Sequence, residues 1–173
     1  MRGAGPPGRR RAAGAGWRMD APGGNPASWD APAWVSGKIA PGEALMTAMP
    51  PPVYFWIDSD QHPLYFLAGP AGSERAAQYT KHDDDGRLID YWLGIDPITS
   101  DASLCAALER HAGAAWIVVD PARLDNPEML GPRMKRIILG ATEIRHRGAN
   151  GVLVVWVTAP SAWSPDAAAI CAN

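Results

Sequence analysis

No apolar run in this 173-residue chain approaches the roughly 20 residues that cross a bilayer, so no direct membrane span is expected. The arginines near the start are followed only by AAGAG. That run is too short and too weakly apolar for a signal-peptide core, so no export signal is expected either. Cysteine is scarce: Cys105 and Cys171 are the only two. Cys105 reads as a small buried hydrophobe on a helix, or as half of a disulfide that ties the chain's end to that helix. Both readings stand, and with them the choice of redox compartment. No G-x-S-x-G, P-loop or G-x-G-x-x-G occurs, so nucleophilic catalysis and nucleotide binding have no support. Acids are missing from Met1 to Arg18, which holds Arg2, Arg9, Arg10, Arg11 and Arg18. The whole chain has a formal charge of -2, but the rest of it carries 11 bases against 18 acids, or -7. So acidic a body is a poor nucleic-acid binder, and no nucleic-acid partner is expected. The arginine stretch reads as a solvated leader.

What is present is enough apolar surface for one domain, including eight tryptophans. The spacing suggests three parts. Residues 1–28 are a Gly/Pro/Arg-rich leader expected to be disordered, 29–159 an α/β domain, and 160–173 a tail. The centre of the pattern is Ser100 to Pro121. Ser100 or Asp101 caps a helix whose Leu104, Ala107, Leu108 and His111 fall on one stripe, and Gly113 stops it. Trp116-Ile117-Val118-Val119 then reads as a strand covered on both faces, with Trp116 fully buried. Ala44–Thr47 and Leu64–Leu67 are strand candidates, Pro52–Ile57 a short helix, and Ser73–Tyr79 a helical turn. Arg87–Leu93 reads as extended. Asn126-Pro127 signals a helix start that Gly131-Pro132 competes for. Thr142–Arg147 and Gly151–Val157 form a hairpin around GANG. The fold class expected is a three-layer α/β sandwich with a small, mostly parallel, Rossmann-like sheet and a C-terminal hairpin.

Few residues offer chemistry. Asp58-Ser59-Asp60 follows the apolar run VYFWI, the outline of an aspartate pair that holds a divalent metal on a diphosphate. A solvated loop is the favoured reading, because the triplet is common by chance. His82 to Asp85 is read as a solvated turn, since adjacent carboxylates point apart. His111 and His146 have no partner at ligand or triad spacing. No catalytic residue, bound metal or cofactor is therefore expected, and Asp58 and Asp60 are the only metal candidates.

Taken together, Trp34-Val35 and PGEALMTAMPPPVYFWIDSDQHPLYFLA resemble the soluble C-terminal α/β domain of large bacterial membrane glycosyltransferases. Those enzymes are similar to the dolichyl-phosphate-mannose protein mannosyltransferases and use polyprenyl-phosphate sugars. The same pattern continues through Asp85-Gly86-Arg87-Leu88-Ile89-Asp90, Gly94 to Thr99, and Trp116 to Asp120, covering about Trp29 to Val157. In that family the catalytic carboxylates lie in the membrane part, so none transfers to this chain. The resemblance implies a non-catalytic accessory domain, or a fragment, at the extracytoplasmic face of the cell membrane. Its partner would be the membrane-embedded glycosyltransferase part, met through the apolar surface around Tyr54, Phe55 and Trp56. Two other expectations compete: a soluble metal-dependent glycosyl or phosphoryl transferase using Asp58 and Asp60, and a free-standing module binding a small ligand at the strand ends near Asp120.

Overall fold

The computed structural model describes residues 30–172; the leader expected over residues 1–28 lies outside them. Helix α1 (Asp30–Ser36) leads into strand β1 (Ala44–Thr47). Helix α2 (Pro50–Trp56) opens on prolines, whose missing N–H groups cost nothing in a first turn, and carries the chain to β2 (Leu64–Leu67), parallel to β1. Ser73 caps α3 (Glu74–Tyr79) through its hydroxyl, which accepts from the Ala76 N–H at 3.1 Å. A separate antiparallel pair follows, β3 (Thr80–His82) and β4 (Leu88–Asp90). The two-residue β5 (Pro97–Ile98) then joins the edge of β2. Ser100 caps α4 (Asp101–Arg110) in a reciprocal arrangement with Ser103. From α4 the chain enters β6 (Ala115–Val119), on the other side of β1.

After β6 come α5 (Pro121–Asp125) and α6 (Gly131–Ala141), then the hairpin β7 (Thr142–Arg147) and β8 (Leu153–Val157). Strand β8 lies antiparallel between β6 and β7, so the six-stranded sheet runs β5-β2-β1-β6-β8-β7. Alternate residues separate two cores. Ala44, Met46, Ile117, Val119 and Val155 meet α4 and α6 on one face. Leu45, Leu64, Val118 and Val154 meet α1 and α2 on the other. The expected three-layer α/β sandwich with a mostly parallel sheet is the architecture observed.

Several local readings change or are settled. Residues 160–173, expected as a tail, contain a 3-10 turn at Pro160–Ala162 and helix α7 (Pro165–Cys171). Ala167 of α7 is fully buried against the α4/α6 face, and Trp163 nearly so. Cys171 at its end is bonded to Cys105 of α4, with the two Cα atoms 5.4 Å apart. Trp116, expected to be fully buried, is half-buried. Its indole N–H donates to Glu43 at 2.8 Å, and its ring meets Trp34 and Trp156 edge-on under the short helix α1. An indole needs a partner for its N–H, so it settles where one side remains polar. Finally, Asp120 starts a helix that the sequence pattern missed, and of the two starts offered for the longer helix it is Gly131, not Asn126, that is observed.

Candidate interaction surface

The most deliberate local geometry surrounds Asp90, at the end of β4. Its carboxylate is completely buried. One oxygen accepts the Ile95 N–H at 2.8 Å, the other the Trp92 N–H at 2.9 Å, and the Leu93 N–H reaches both at 3.3 Å. Gly94, at φ +72°, closes the turn in a conformation that suits glycine. The backbone adds a bond from the Asp90 N–H to the Ile95 carbonyl at 2.8 Å. A charged acceptor serving several backbone donors makes a stiff turn.

What this stiff turn carries is apolar and faces water. Tyr91 is 62% exposed, Trp92 42% and Leu93 46%. Trp92 is anchored from below, stacked on Tyr79 with ring centres 5.4 Å apart and edge-on to buried Phe66 at 6.4 Å. Lys81 of β3 places its ammonium 5.4 Å from the centre of the Tyr91 ring. Arg87 ties the hairpin to the approach of β5, reaching Asp83 at 3.4 Å and Asp96 at 3.7 Å. Single exposed apolar residues are ordinary on protein surfaces. Three in succession, on a turn held by a buried charge, make a continuous exposed apolar patch.

The surface expected around α2 lies on the same face of the sheet, since Leu64 and Phe66 of β2 share a side. Phe55 is 57% and Trp56 44% exposed, their rings meeting edge-on at 5.5 Å. Tyr54 differs from them: it is half-buried, and its hydroxyl is buried with no hydrogen-bond partner among the described residues. Burial, and then the nearby Asp90 charge, hold the phenol far above its usual pKa.

The other candidate residues are committed to local structure. Asp58 accepts the Asp60 N–H and the Gln61 side-chain amide, each at 3.0 Å, and so closes its own exposed turn. Asp60 contributes its backbone to that turn, and its side chain is exposed. Among the described residues, no group of three or more His, Cys, Asp or Glu is placed to hold a metal ion. Asp120 caps α5 by accepting the Arg123 N–H at 2.9 Å and pairs with the Arg123 guanidinium. His111 bonds the Tyr65 hydroxyl at 2.9 Å, and burial followed by the Arg110 charge lowers its pKa. His146 stacks on Trp34 at 4.7 Å. A cavity of about 350 Å³ opens between the starts of α4 and α6, but its Arg133 is paired with Asp101 at 2.7 Å.

The sequence reading missed Tyr91, Trp92 and Leu93, although Asp90 stood at the end of its D-G-R-x-x-D stretch. A usable signal was there: YWLG after an aspartate, where an extended segment must turn before Asp96-Pro97. Among the described residues no helix is long and apolar enough to cross a membrane. No family model, curated protein or solved structure matches the chain.

Proposed function

We propose that the chain is a non-catalytic accessory domain of a polytopic membrane glycosyltransferase that uses a polyprenyl-phosphate sugar donor. The observation that carries this reading is the aromatic turn Tyr91–Leu93, displayed to solvent and held by buried Asp90, while Asp58 closes its own turn and Asp120 caps a helix. A surface built this way suits docking better than chemistry. The resemblance over residues 29–157 supplies the partner, a membrane-embedded glycosyltransferase part. The Cys105–Cys171 disulfide supports an oxidising location, as at the extracytoplasmic face of a cell membrane.

Two measurements test the proposal. Purified protein is assayed for transfer of radiolabelled sugar from lipid-linked and nucleotide donors, and none is expected. A tagged copy, expressed beside a candidate membrane glycosyltransferase and extracted in mild detergent, is expected to bring that enzyme down with it. Turnover by the purified chain alone, abolished by Asp58→Asn, would replace the accessory role with the metal-dependent transferase.

A further inference from the structure

We propose that the segment received by the Tyr91–Leu93 turn is a basic, arginine-bearing stretch of a partner polypeptide. This rests on the accessory-domain reading and adds the chemistry of the contact. Three observations carry it. Tyr91 takes Lys81 over its ring at 5.4 Å and is still 62% exposed, so its ring attracts cations and keeps surface within reach of a partner's. The tip of the β3–β4 hairpin carries Asp83, Asp84 and Asp85. Asp83 is engaged by Arg87, whereas Asp84 and Asp85 are exposed and have no cationic partner among the described residues. The tip and the turn are joined by β4, three residues or about 10 Å of extended chain at about 3.3 Å per residue. A partner peptide of about three or four extended residues therefore spans both.

Arginine fits both ends of that span. Its guanidinium lies flat on an aromatic ring and takes carboxylate oxygens at its edge. Lysine does the second but stacks less well. An anionic bilayer, the other natural host for exposed Tyr, Trp and Leu, is repelled by the two uncompensated carboxylates at the tip of the same hairpin. The chemistry on this face thus selects a cationic polypeptide over lipid.

The experiment uses the full chain and fluorescence anisotropy of a fluorescein-labelled decapeptide alternating Arg and Gly. The same peptide with Glu for Arg, and phosphatidylglycerol/phosphatidylcholine vesicles, are compared in parallel. The Arg peptide is expected to bind, more weakly as salt rises, and the Glu peptide and vesicles are not. Tyr91→Ser, at a largely exposed position, should weaken binding by about 2- to 5-fold, the usual worth of one exposed cation–π contact. The pair Asp84→Asn and Asp85→Asn should weaken it at least as much. The pair Asp125→Asn and Asp166→Asn removes the same charge elsewhere and should leave binding unchanged. Thermal melts of each variant verify folding. Absence of Arg-peptide binding, equal loss in the two Asp pairs, indifference to Tyr91→Ser, or preference for vesicles each overturns the inference. Because the assay contains no membrane enzyme, its failure leaves the co-purification result standing. Failed co-purification with intact peptide binding would instead remove the accessory role alone.

Discussion

Asp90 holds its turn with oxygens that no other group replaces, so it is the side chain whose chemistry is most exposed to test. Asp90→Asn keeps the shape but removes the charge and one of the two acceptors. Stability should fall by about 1.5–3 kcal/mol, the range for hydrogen bonds to a charged group. A urea midpoint equal to the parent's would mean that the Trp92, Leu93 and Ile95 N–H groups find other acceptors. Tyr54 predicts the opposite sign. Its buried hydroxyl is unsatisfied, so Tyr54→Phe should leave stability unchanged or raise it by up to about 1 kcal/mol. A clear loss would reveal a partner for that hydroxyl. His111 supplies a pH dependence. Its folded pKa lies below the ordinary value of about 6.5, so the unfolded chain binds more protons in the window just below that value. Stability should therefore drop as pH falls through this window, and His111→Gln should flatten the drop in melts between about pH 7 and 5. At this scale the sequence was partly legible. The D-G-R-x-x-D stretch stood out as a pattern, yet the partners of a buried carboxylate depend on how a turn closes two to five residues later. Trp116 shows the same limit: its apolar neighbours pointed inward, and only Glu43, distant in sequence, explains its polar side.

Elements whose causes are local were the readable ones. Helix α4 announces its own cap at Ser100 and its inner stripe at Leu104, Ala107 and Leu108, and β1, β2 and β8 are short apolar runs bounded by turns. Helices α5 and α7 went unread although each opens on a local cap, Asp120 or Ser164, followed by a proline; five and seven residues are too few to show an apolar stripe. The sequence of α7, PDAAAIC, is weakly apolar, and its seat depends on Ala167, Trp163, the disulfide and a glycine in another helix. That glycine is Gly140 of α6. Its carbonyl accepts the Ser164 N–H at 2.8 Å, and a Cβ added there would stand 2.2 Å from the Ser164 hydroxyl and 2.7 Å from the Ala167 methyl. On an open helix, Gly→Ala normally stabilises by about 1 kcal/mol. Here Gly140→Ala should instead cost about 1–3 kcal/mol, the usual penalty for overpacking. A rise in melting temperature would show that α7 does not press on α6.

Seen whole, the molecule has two unlike faces. One bears α1, α2 and the aromatic turn; the other bears α4, α6 and α7, closed by the Cys105–Cys171 bond. That bond also has a mechanical meaning. If the protein is pulled by its two ends, tension arriving at Cys105 passes directly to Cys171 and bypasses the 66 residues of separation between them. Strands β1, β2 and β5 can be peeled out and extended, whereas β6, β7 and β8 sit inside a covalent ring that no force along the chain can open. In an optical trap, the oxidised protein should release roughly 220 Å less contour length than the reduced one, at about 3.3 Å per residue. Equal extensions in the two states would mean that the ring is not closed. Under load the chain behaves as a short extensible tether in series with a closed loop.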